Sequence, residues 1–154
     1  MSNKFMKRAV ELSIKSVNSG TGPFGAVIVK NNQIISEGFN TVTLANDPTS
    51  HAEIVAIRIA CKDLNNFSLE GCDLYTTCEP CPMCLSAIYW AHINTIYYAN
   101  TRRDAQEIDF DDSLIYEEIK KNITERKIPM YQIMRDEALK TFEMWDKKVD
   151  KVKY

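Results

Sequence analysis

Two β-rich runs, residues 24–30 and 33–39, flank the pair Asn31-Asn32, which reads as a tight turn, so the chain commits early to a hairpin. Helical and strand patterns alternate beyond it. A polar loop covers 40–50, and residues 51–64 carry Ile54, Val55, Ile57, Arg58 and Cys61 at the spacing of a buried helical face. A short strand at 72–76, a helix over 80–92 opened by prolines, and a strand-like run at 93–99 come next. Residues 113–121 read as a helix, 129–134 as a fifth strand, and the last helix places Ala138, Phe142, Trp145 and Val149 on one side. Before the hairpin, Met6, Ala9, Val10, Ile14 and Val17 mark a first helix stopped by Gly20 and Gly22. A helix between two strands gives a right-handed parallel crossover. The expected fold is therefore α/β: a five-stranded mixed sheet flanked by helices on both faces, three layers, one domain over residues 1–154.

Length and charge narrow the class. With 154 residues and no linker, repeat or low-complexity tract, the chain matches one globular domain. Nineteen Lys+Arg against twenty-one Asp+Glu leave a formal charge of −2, without the basic surplus that a long nucleic acid partner demands. Residues 1–8 are charged and amphipathic rather than signal-like, and apolar runs such as 26–29 are too short to cross a bilayer. Five cysteines are an odd number, three of them within residues 78–84, which favours metal or catalysis over disulfides. The expected compartment is the cytoplasm, without membrane or nucleic acid as partner.

The chemistry concentrates in few residues. With His51 and His92 the only histidines, a three-histidine metal site cannot form within one chain, and a tight divalent site must recruit thiolates. The candidates are His51 and the pair Cys81-Pro82-Met83-Cys84 thirty residues on, at a helix start whose amides stabilise thiolate charge. Two sulfurs and one imidazole favour zinc, and three protein ligands leave a fourth position for water. Glu53, on the same first turn as His51, can reach that water as a proton shuttle. Plainer readings fit the same residues. Ser50-His51-Ala52-Glu53 is also a capping box, and Cys78 with Cys81, Cys84 and His51 would close a structural zinc site. An iron–sulfur run is broken by Ala87, and His92 reads as a helix C-terminal residue.

The joint pattern His51-Ala52-Glu53 and Cys78-Glu79-Pro80-Cys81-Pro82-Met83-Cys84 resembles that of the zinc-dependent nucleobase deaminases with a cytidine-deaminase-like fold. The resemblance extends over Gly22-Pro23-Phe24-Gly25-Ala26-Val27-Ile28-Val29, Asn46-Asp47-Pro48-Thr49 and Ala87-Ile88-Tyr89-Trp90-Ala91. The stretch Phe110-Asp111-Asp112-Ser113, continuing through Ile115, Tyr116, Glu118 and Ile119, is similar to the bacterial guanine deaminases in particular. The resemblance implies one zinc per chain on His51, Cys81 and Cys84, Glu53 as proton shuttle and Cys78 as a bystander. It further implies Asn40 as a purine-binding residue, Asp112 as a second acidic residue, and Phe24, Trp90 and Tyr154 as pocket lining. Ser86, where relatives commonly carry glycine, is the one departure. A homodimer is implied too, with residues from about 135 to 154 contacting the partner subunit.

The implied reaction is hydrolysis of guanine to xanthine and ammonia. The guanine edge beside C2 presents two donors, N1–H and the 2-amino group, which the carboxylate of Asp112 accepts. Cytosine N3 and adenine N1 are acceptors and would meet that carboxylate lone pair to lone pair. Taken without the resemblance, Asp112 reads as an acid at the start of a helix, and Phe24 and Trp90 as core residues. Cytosine or transfer-RNA adenosine deamination is the nearest rival. Lys147, Lys148, Lys151 and Lys153 speak for an RNA partner, but acids are interleaved among them. A non-catalytic, zinc-stabilised binding module is the rival of another class.

Overall fold

The hairpin forms where the sequence places it: β1 (Gly25–Lys30) and β2 (Gln33–Phe39) run antiparallel around Asn31 and Asn32, whose φ angles of 51° and 60° give the positive-φ turn that matches strand twist. The computed structural model describes residues 3–154, and these divide into two units, the first ending at Asp112 and the second spanning Ser113–Tyr154. In the first unit β3 (Cys72–Cys78) adds antiparallel to β1, and β4 (Thr95–Asn100) adds parallel to β3, giving the order β2-β1-β3-β4. The parallel step carries the helix α4 (Pro82–Trp90) as its crossover. The sheet is mixed, as expected.

Alternation along β1 assigns its two faces. Val27 and Val29, with Tyr75 of β3, pack on Phe5 and Leu12 of the helix α1 (Asn3–Asn18). Ala26 and Ile28, with Leu74, pack on Ala52, Ala56 and Ala60 of the helix α3 (Ala52–Asp63), and on Ile88 and Ala91 beside α4. The helix α2 (Val42–Ala45) is a single turn in the loop before α3, and α5 (Arg102–Gln106) follows β4 under a Thr101–Asp104 capping box. The second unit holds α6 (Ser113–Lys120), a short 3-10 turn and α7 (Arg135–Lys147). No helix among the described residues is long and apolar enough to cross a membrane.

Three expectations need correction. The sheet has four strands, not five, because residues 129–134 pair with nothing as a strand. Tyr131 and Ile133 give that run β propensity, but propensity is realised only against a neighbouring ladder, and Pro129 lacks an N–H to donate. Second, the inward face of α1 is Phe5, Ala9, Leu12 and Ser16, while Val10, Ile14 and Val17 are exposed. Third, α3 meets the sheet along Ala52, Ala56 and Ala60, with Arg58 exposed and Ile57 and Cys61 only partly covered.

One cause explains both helix faces. At Gly25 an added Cβ would lie 2.2 Å from the carbonyl oxygen of Ala9 and 2.6 Å from the amide of Ser13. At Gly38 it would lie 2.3 Å from the carbonyl oxygen of Ala52. A helix seated that low on a sheet presents small residues at the closest approach, Ala9 on α1 and the stripe Ala52, Ala56 and Ala60 on α3, which a count of large apolar side chains passes over. The side predicted for α7 also stays uncovered, with Phe142 and Trp145 exposed and Val149 beyond the helix. Gly25→Ala, whose methyl meets backbone that cannot rotate aside, is expected to cost about 1–3 kcal/mol. The midpoint of urea unfolding reads that loss; an unchanged midpoint would show that α1 is not seated so closely.

Candidate active site

His51 and Cys81 occupy equivalent places, each the N-cap of a helix in extended backbone, and neither side chain caps its own helix. Both turn to a common point. The Nδ1 atom of His51 is 3.5 Å from the Sγ of Cys81 and 3.5 Å from the Sγ of Cys84, which lies in the buried first turn of α4. Zinc bonds of about 2.0–2.1 Å to nitrogen and 2.3 Å to sulfur put the N···S edge of a tetrahedron at about 3.6 Å. The three donor atoms lie within 4.8 Å of one another and fit one zinc ion. The Cys84 thiol above all, then His51 and the Cys84 amide that points at the sulfur, draw the Cys81 thiol down to about 4. Cys84, beside the Cys81 sulfur and deeply buried, is pushed up.

A polar turn delivers His51 to this point. Asp47 Oδ1 accepts from the amide and hydroxyl of Thr49 at 2.8 and 2.7 Å, and Oδ2 accepts from Ser50 Oγ at 2.7 Å and Arg58 Nη1 at 3.3 Å. These hydrogen bonds, Ser50 first, hold the Asp47 carboxyl well below the usual range. The His51 amide then donates to the Thr49 carbonyl at 2.8 Å.

Glu53 is 6% exposed, with Oε1 accepting from Thr76 Oγ1 at 3.2 Å and Oε2 from Cys84 Sγ at 3.4 Å. Burial pushes its carboxyl up. The capping box does not form: Ser50 spends its hydroxyl on Asp47, and Glu53 points inward to β3 and Cys84. Nor does Cys78 join the donors. Its Sγ is 3.7 Å from the carbonyl of Thr101, and burial pushes its thiol up to about 11. His92 follows α4 in a turn, with φ of 56°.

Asn40, just past β2, is 5% exposed; its Oδ1 accepts from the Val42 amide at 3.1 Å. Asp112, half-buried at the end of the first unit, has its carboxyl raised by burial and then by the neighbouring Cys81. Phe24 is partly buried and meets Phe110 edge-on. Trp90 is 64% exposed at the far end of α4, about 9 Å along the axis from Cys84. Tyr154 is exposed in the second unit. Sequence reasoning missed Thr76, Asp47 and Phe110 as supports. The Asp-Pro-Thr turn was a readable signal for Asp47; Thr76 had none, since β3 alone brings it to Glu53. Cys84→Ala removes a donor from a set of three and is expected to drop bound zinc from about one per chain to under about a tenth. Elemental analysis of dialysed protein reads this, and retained zinc would remove Cys84 from the ligand set.

Residues 1–100 match the cytidine and deoxycytidylate deaminase zinc-binding region. Over 151 residues the chain is 55% identical to a guanine deaminase of Bacillus subtilis, covering 97% of each. A crystal structure of guanine deaminase from Bacillus subtilis superposes with a TM-score of 0.96 at 54% identity, over 100% of this chain and 99% of that one. A tRNA-specific adenosine deaminase of Aquifex aeolicus is 43% identical over 95 residues, 62% of this chain and 63% of that one. The histidine, the two cysteines and the buried glutamate all lie within the matched residues 1–100, and the chain belongs to the cytidine and deoxycytidylate deaminase zinc-binding family.

Proposed function

We propose that this protein hydrolyses guanine to xanthine and ammonia. The observation that carries the choice of base is likeness over the whole chain: 55% identity to a guanine deaminase over 97% of the chain and a TM-score of 0.96 to a guanine deaminase structure over 100% of it, whereas a tRNA-specific adenosine deaminase that matches over 88% is only 33% identical. Bound zinc supplies the Lewis acidity that makes water nucleophilic near neutral pH. Glu53 takes one proton of the attacking water and places it on N3 of guanine, then takes the second as the C2 hydroxyl becomes a carbonyl; this second proton goes to the amine, so the water oxygen stays on C2, the C–N bond breaks and ammonia leaves. Its buried carboxyl, raised by desolvation, is suited to taking and returning a proton.

Asp112 accepts N1–H and the 2-amino group, and relays the second water proton toward the leaving amine. With its Oδ1 engaged by Val42, Asn40 turns its NH2 to the acceptors of the purine's other edge. Phe24, Trp90 and Tyr154 are assigned to line the base. The two units serve one catalytic domain acting in the cytoplasm on a free purine, without nucleic acid. Two copies pair as a homodimer through the second unit, where Phe142, Met144 and Trp145 are exposed.

Ammonia release from guanine, cytosine and adenine side by side tests the reading. Release from guanine alone is expected; release from cytosine or adenine instead would overturn the role of Asp112. Glu53→Gln is expected to keep zinc and lose turnover by about 10²–10⁴-fold. Unchanged turnover in that variant would remove Glu53 as the proton shuttle, whereas a zinc-loaded, unaltered protein that releases ammonia from none of the bases would leave the non-catalytic module as the better account.

A further inference from the structure

The loop entering β1 and the segment leaving α5 meet ring to ring. Phe24 and Phe110 pack edge-to-face, with centroids 4.9 Å apart and planes at 89°, the arrangement that aromatic quadrupoles favour. Gly22 lies under the contact: a Cβ there would be 3.0 Å from Cζ and 3.2 Å from Cε1 of Phe110, and 3.1 Å from Cε2 of Phe24. Its φ lies outside the left-handed region, so the glycine answers to the space the rings take rather than to backbone conformation.

Both rings are tied to residues assigned to the base. The amide of Phe24 donates to the Gly22 carbonyl at 2.8 Å, and its carbonyl accepts the amide of Asn40 at 3.1 Å. On the other side, the amide of Phe110 donates to the Ala105 carbonyl at 3.0 Å, closing the end of α5, and Asp112 lies two residues later. Residues 110–112 belong to no helix or strand, so regular structure does not hold the Asp112 carboxyl in place.

We propose that Gly22, Phe24 and Phe110 form a clasp that sets the separation between Asn40 and Asp112, and that Phe110 is thereby a positioning residue for guanine selectivity. Phe110 acts through Phe24 and Asp112, not on the reacting atoms. The inference rests on the guanine reading above and adds Gly22 and Phe110, to which that reading gives no role.

Steady-state kinetics and zinc content of Phe110→Ala, Phe110→Tyr, Gly22→Ala and the Gly22→Ala/Phe110→Ala pair test it. Phe110→Ala is expected to keep its zinc, lose about 10–100-fold in kcat/KM on guanine mainly through KM, and discriminate less against adenine. Phe110→Tyr, which keeps the ring edge, recovers to within about threefold of the unaltered protein. Gly22→Ala pushes the Phe110 ring aside and lowers kcat/KM, and the pair is no worse than Phe110→Ala alone, because the two changes break one contact. A Phe110→Ala protein within about twofold of the unaltered one overturns the clasp. So does a loss that Phe110→Tyr fails to recover, or one accompanied by loss of zinc, which marks a folding element instead. An unaltered protein inactive on guanine overturns the guanine reading together with this inference, whereas an active one indifferent to Phe110→Ala overturns the clasp alone.

Discussion

The close approach of α3 to the hairpin governs where the chemistry can be. Gly38 meets the carbonyl of Ala52 so nearly that a methyl group has no room, and this contact seats the first turn of α3 against the sheet. His51 is the residue before that turn and Glu53 lies within it. Raising the helix by the height of a side chain would lift both away from Cys84 and Thr76. The stripe Ala52, Ala56, Ala60 continues the same contact along the helix and keeps its direction fixed.

Two helix starts converging on one point also explain how charge is managed there. Each N-terminus presents unpaired amides, which favour negative charge. The Cys84 amide is aimed at the Cys81 sulfur, so the thiolate a metal requires is already favoured by the helix. Glu53 is treated the opposite way. Enclosed between β3 and α4 and only 6% exposed, its carboxyl binds its proton more tightly than in water. A thiol drawn down at Cys81 and a carboxyl with raised proton affinity at Glu53 are the complementary halves of hydrolytic deamination. Neither would have its character at the surface.

Much of the site was legible because its signals are local. A soft-donor pair three residues apart at a helix start, and a histidine two residues before a glutamate, constrain geometry within a single turn. The hairpin was equally plain, since turn and strands adjoin. The misreadings share a physical origin. Residues 129–134 have the composition of a strand, yet a strand exists only where another offers it a ladder. Val10, Ile14 and Val17 are the larger apolar residues of α1, but glycine on the sheet beneath brings Ala9 and the Ser13 amide to the interface instead.

The sequence by itself determined the donor set, the hairpin, the βα alternation and the family, because each depends on residues near one another in the chain or on identity at a few positions. Only the tertiary structure decided that Glu53 faces Thr76 and Cys84 rather than capping its helix, that Cys78 turns to Thr101, and that Phe110 meets Phe24. These are contacts across 23 to 86 residues of chain. Competition between a local partner and a distant one is settled by packing, since the side chain goes where burial and hydrogen bonding are satisfied together, and no local pattern records that outcome.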